Sequence, residues 1–139
     1  MGIVVDTAYT HRARAAGLTE PLVRQVIDAF YVKVRQDPIL GPVFNGIIKD
    51  EWPAHIERIM AFWLTATRLG SGYDGRRFMP VHLAHAAIRA EQLPQWLLLF
   101  RETARQICPP AAADVLIDIA ERMADSIRMS LARRDANTS

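Results

Sequence analysis

Residues 52–66 read WPAHIERIMAFWLTA, and the spacing of their apolar side chains decides the fold class. Trp52, His55, Ile56, Ile59, Phe62, Trp63 and Ala66 recur at intervals of three, four and seven, the period of one face of an α-helix. A face sustained over four turns predicts burial, and His55 lies within it. An imidazole costs free energy to bury unless its ring nitrogens find partners. Beyond Gly70-Ser71-Gly72, the segment Phe78-Met79-Pro80-Val81-His82-Leu83 sets a second imidazole among large apolar groups. Two imidazoles facing each other across an apolar slot imply a ligand between them, and a flat metal macrocycle fits such a slot.

The flanking segments extend the helical pattern. Thr19 is a suitable cap for a helix whose first turn holds Glu20 and Pro21. Leu22, Val26, Phe30, Tyr31 and Val34 mark its buried face, and Asp37-Pro38 stops it. Residues 40–46, with Gly41, Pro42 and Gly46, read as a turn-rich connector carrying one large aromatic, Phe44. Helix resumes near Lys49 and runs to about Arg68. A loop at 69–77 and a short helix around 78–87 are expected next. Pro94 opens a helix containing Trp96, Leu97, Leu99, Phe100 and Ile107, which Pro109-Pro110 ends. Val115, Leu116, Ile119, Met123 and Ile127 give the last helix its core spacing. Nothing alternates with period two, so the fold class is all-α.

Composition narrows the functional classes. A chain of 139 residues fits one domain able to bury roughly 70% of its unfolded surface. Half the residues are hydrophobic and 23% are charged, as in an ordinary globular protein. A net charge of +2, with scattered basic residues, argues against nucleic acid as partner. One cysteine, Cys108, excludes an intramolecular disulfide and fits a reducing compartment. No apolar run approaches the roughly 20 residues that cross a bilayer. Asp6, Thr7, His11 and Arg12 interrupt any signal-like start. These readings lead to an expectation of a cytoplasmic domain at 19–132, with a loose or partly docked arm at 1–18 and a polar tail at 133–139.

Five strings in register narrow the fold further. Phe30-Tyr31-x-Lys33-Val34-Arg35-x-Asp37-Pro38-x-Leu40-Gly41-Pro42-Val43-Phe44 resembles the first helix and following corner of the truncated haemoglobins of group III. Trp52-x-x-His55 with Phe62-Trp63, then Tyr73-x-Gly75, Met79-x-x-His82 and Trp96-Leu97-x-Leu99-Phe100, are similar to the same group in the same order. The resemblance spans about residues 22–131. The paired-glycine signatures of the other two groups are missing. It implies a truncated globin fold, a two-over-two helical sandwich around haem b (iron protoporphyrin IX).

The resemblance also distributes roles. His82 is the implied proximal ligand to iron. Its rival is His85, three residues on and on much the same helical face. The spacing from Met79 and the fourteen positions separating His82 from Trp96 favour His82. Tyr31, His55 and Trp96 are implied on the distal side, as donors to an iron-bound ligand that carries partial negative charge. Phe44 matches the aromatic that stacks on haem, and Leu40, Ile59, Phe62, Trp63, Met79 and Leu83 would line the cavity. Arg58, one turn beyond His55, suits a propionate, as would Lys49, Arg76 or Arg77. Ordinary core packing or a solvated charge is the plain alternative for each.

The implied function is binding of dioxygen, nitric oxide and carbon monoxide at haem iron. Three polar distal groups favour redox chemistry on the bound ligand, as nitric oxide dioxygenase or peroxidase, with a reductase as partner, over simple carriage of oxygen. The competing reading is a cofactor-free helical interaction module with two buried histidines.

Overall fold

Six helices account for most of the residues that the computed structural model describes, 12–70 and 78–138. They are α1 (Glu20–Gln36), α2 (Leu40–Ile48), α3 (Trp52–Ala66), α4 (Phe78–Ala84), α5 (Leu93–Ile107) and α6 (Pro110–Thr138). Short 3-10 turns, Lys49–Glu51 and Ala90–Gln92, lead into α3 and α5. No strand occurs among the described residues. The expected loop at 71–77, with Tyr73, Gly75, Arg76 and Arg77, lies outside them.

α1 forms as its sequence predicts. The Thr19 hydroxyl accepts from the Leu22 amide at 3.3 Å, satisfying one of the unpaired donors of the first turn. Pro21 occupies a position where no amide is missed. Val23, Val26, Ile27, Phe30, Tyr31 and Val34 form the buried face.

The stretch at 40–46, expected as a turn-rich connector, is instead helical. Its glycine and proline serve other ends than a turn. One Asp37 carboxylate oxygen accepts from the amides of Ile39 and Leu40, each at 2.9 Å, and so starts α2. The other accepts from Gln95 at 2.7 Å and ties the corner to α5. Pro42 falls in the first turn, whose amides have no partner within the helix. A Cβ on Gly41 would come within 2.7 Å of the Arg35 carbonyl oxygen, so glycine lets α2 start hard against the end of α1.

α1 packs on both α3 and α5, and α5 packs on α6, which gives two layers of two helices. The layers meet through aromatic rings. Trp63 of α3 stacks on Phe100 of α5 (5.0 Å, 8°), and Phe30 of α1 meets Phe100 edge-on at 5.1 Å. The core also reaches past the expected domain limits. Ala13 and Leu18 are buried, and Arg12 pairs with Asp118 at 3.1 Å, so the arm is docked from Arg12 onward. At the other end, helix continues through the expected polar tail as far as Thr138.

Candidate functional site

Between α1, α2 and α3 on one side and α4, α5 and α6 on the other lies a cavity of about 610 Å³. That is within the range of small-molecule and cofactor sites. Its walls are mainly apolar. Leu40, Phe44, Ile59, Phe62 and Trp63 border it as the sequence led us to expect. Met79 and Leu83, also expected there, are half-buried and are not among the residues that line it.

Sequence reasoning missed part of the wall. Val43 and Ile47 line the cavity from α2, and Met123 and Ile127 from α6. Each pair has helical i, i+4 spacing, a signal lost for Val43 and Ile47 once their segment was taken as a connector. Ile88, Arg89, Gln92 and Leu93 complete the wall from the turn before α5, where no periodic pattern marks them.

The polar side chains that border the cavity come from opposite layers. Tyr31 on α1 is packed against Phe30 (4.7 Å), Trp52 (6.1 Å) and Phe44 (6.2 Å). Burial pushes its phenol pKa far up, against a smaller lowering effect of the nearby Trp96 indole. The phenol therefore stays protonated. Tyr31 and Trp96 both border the cavity, each with a hydrogen to donate.

His55 on α3 stands edge-on to Trp52 at 5.9 Å. Burial lowers its pKa to about 4, with added repulsion from Arg58 and His82. Near neutral pH the ring is uncharged, with one nitrogen to donate and one to accept or ligate. That repulsion also places His82 electrostatically near His55. Both His82 and His85 border the cavity, so their competition is not resolved by exposure alone. Arg58, itself exposed, and Arg89 bring cationic groups to the lining. Lys49 is exposed and does not reach it.

No protein-family model matches the chain. A curated protein of Campylobacter jejuni described as a group 3 truncated hemoglobin is 30% identical over 118 residues, which are 82% of this chain and 91% of that protein. The chain belongs to the group III truncated haemoglobins. The crystal structure of a group III truncated hemoglobin from Campylobacter jejuni superposes with a TM-score of 0.75 at 27% identity, over 82% of this chain and 91% of that one. The two-over-two arrangement of α1, α3, α5 and α6 is thus the truncated globin fold.

For a truncated haemoglobin the donor set has a plain meaning. Its cavity is large, apolar and bordered by imidazoles from both layers, with arginines and a protonated phenol in the lining. These residues fit a flat, apolar macrocycle that carries a metal and two carboxylates. Among the described residues no cluster of three or more histidine, cysteine, aspartate or glutamate side chains is arranged to hold a bare metal ion. A macrocycle that supplies four ligands itself needs only one.

Proposed function

We propose that this truncated haemoglobin binds haem b in the cavity and takes up diatomic ligands there, with redox chemistry on the bound ligand. The observation that carries the reading is the pairing of His55 and His82 across one apolar cavity of about 610 Å³. When bound, haem would supply an iron centre that coordinates dioxygen, nitric oxide or carbon monoxide and exchanges single electrons.

His82 is assigned as iron ligand through one imidazole nitrogen, its other nitrogen donating to a neighbouring acceptor. Tyr31 is assigned as donor to the diatomic ligand. Its pKa, raised by burial, keeps the proton on the phenol, and Trp96, which borders the same cavity, adds an indole N–H as a further donor. His55 is uncharged and within the same space, and it serves as a second donor or as a base. Phe44, Leu40, Ile59, Phe62 and Trp63 exclude water, which strengthens every donor inside. Arg58 and Arg89 are suited to the two propionates. Three polar distal groups exceed what carriage of oxygen requires. A nitric oxide dioxygenase or peroxidase role follows, with a reductase to return ferric iron to the ferrous state.

Titration of the purified chain with hemin, followed by the Soret band, tests the cofactor. Stoichiometric uptake with a sharp Soret maximum is expected. No uptake would leave the cofactor-free interaction module. Turnover of the oxygenated ferrous protein with nitric oxide, and of the ferric protein with peroxide, tests the redox assignment.

A further inference from the structure

Arg134 lies near the end of α6, outside the cavity lining and apart from the residues assigned roles above. Only 18% of its side chain is exposed. Its guanidinium reaches the backbone of the segment that carries both proximal candidates. Nη1 donates to the carbonyls of Leu83 at 3.3 Å and His85 at 3.0 Å, and Nη2 to that of Ile88 at 2.8 Å. Nε donates to Asp135 at 3.0 Å, which fixes the plane of the group.

The segment needs such a partner. α4 has seven residues, well short of a helix that is stable alone. The carbonyls of its last turn have no acceptor role within the helix and must be met from outside. Beyond Ala84 the chain is held locally by turn bonds from the His85 amide to His82 at 3.3 Å and from the Ile88 amide to His85 at 3.0 Å, and by Gln92, whose side chain donates to the Ala87 carbonyl at 2.9 Å. A cation at a helix C-terminus complements the dipole, and a planar fork serves several diverging acceptors where an ammonium acts as a point.

His85 lies just beyond the end of α4 and borders the cavity together with His82, so a partial rotation of so short a helix and the turn after it would change which imidazole faces inward. We propose that Arg134 is the positioning residue of this segment. By holding the carbonyls of Leu83, His85 and Ile88 it fixes the rotation of α4, and with it which imidazole is presented to the iron. The long C-terminal helix thereby sets the choice of ligand from a distance. The statement about iron rests on the haem reading above, whereas the clamp itself does not.

The test uses Arg134→Gln and Arg134→Lys in the full chain. In the haem-free protein, amide hydrogen exchange at 83–88 should accelerate in Arg134→Gln while α1, α3 and α5 keep their protection. In the haem-loaded protein, transfer of haem to an excess of apomyoglobin should be about tenfold to a hundredfold faster, the range for loss of charged hydrogen bonds. The ferrous iron–imidazole stretching band of Arg134→Gln should split in two, and adding His85→Ala should return it to one. Arg134→Lys keeps the charge but not the fork, and should fall between wild type and Arg134→Gln. Unchanged exchange at 83–88, or a lysine variant indistinguishable from wild type, would overturn the clamp. A single unshifted band in Arg134→Gln would overturn its part in ligand choice. Failure of the wild-type chain to take up hemin would instead sink the haem reading and leave the exchange result standing.

Discussion

The two walls of the cavity are built on different principles. The wall made by α1 and α3 is held by close ring packing against α5. Phe30, Trp63 and Phe100 interlock at centroid distances of 5.0 and 5.1 Å, and Thr19 caps α1 from its own chain neighbourhood. The wall from Phe78 to Gln92 is a seven-residue helix, a turn and a 3-10 turn. Its carbonyls are met by an arginine 46 to 51 positions away in sequence. A tightly packed wall keeps donors such as Tyr31 and His55 in fixed positions. A wall clamped from outside can be rotated or released, and it is the one that carries the candidate iron ligand.

The largest expected effect probes the clamped wall. His82→Ala should abolish stable haem binding, whereas His85→Ala should leave it intact, as judged by the Soret band after gel filtration. Loss of the band in His85→Ala with retention in His82→Ala would place the segment one helical turn from the assignment made here.

Next is the packed wall itself. Phe100 is fully buried against Trp63, Phe30 and Trp96. Phe100→Ala should cost about 3–5 kcal/mol of unfolding free energy in urea, through lost burial and a cavity that rigid rings cannot refill. The Arg134 variants should lower that free energy far less. Equal losses would erase the distinction between the walls.

How far each wall was legible follows from the same contrast. The α1 and α3 faces announce themselves because a buried helical face leaves a 3.6-residue period, which Trp52 through Ala66 displays. That period marks Tyr31, His55, Ile59, Phe62 and Trp63 as facing the core, the family resemblance assigns them to the site, and all five border the cavity. Gly41 and Pro42 misled, since a close helix approach and a first-turn proline use the residues that turns use. The helical continuation to Thr138 has a polar surface that reads as tail, yet Arg134 within it makes a tertiary contact. Met79 and Leu83 were placed on the cavity by the family resemblance, whereas the described lining takes His82, His85 and Ile88 from that region. A short segment clamped by a distant side chain leaves no period to read.

A smaller effect concerns the donors on the packed wall. Tyr31→Phe keeps the ring and removes the hydroxyl, so packing should survive. Dissociation of dioxygen from the ferrous protein should accelerate by about tenfold to a hundredfold, as expected for one hydrogen bond to a charged acceptor. Carbon monoxide, which carries less negative charge when bound, should respond less. Because the Trp96 indole is close enough to influence the Tyr31 phenol, Trp96→Phe acts in part through Tyr31. Stopped-flow rates for the two single variants and the double variant should therefore depart from additivity, with Trp96→Phe adding little once the hydroxyl is gone. Strict additivity would mean that each side chain meets the ligand independently.

The smallest effect is a pH dependence of the haem-free protein. Burial, then Arg58 and His82, lower the pKa of His55 from 6.5 to about 4. Between those values the unfolded chain binds a proton that the folded chain refuses. Stability linked to His55 is thus complete above pH 6.5 and is lost progressively as pH falls toward 4. His55 is only partly buried, so solvent screening reduces the loss, to about 1–2 kcal/mol. His55→Leu should flatten the slope of unfolding free energy against pH over this window, measured by urea titration at fixed ionic strength. A slope that survives His55→Leu would move the acid-sensitive group away from the packed wall.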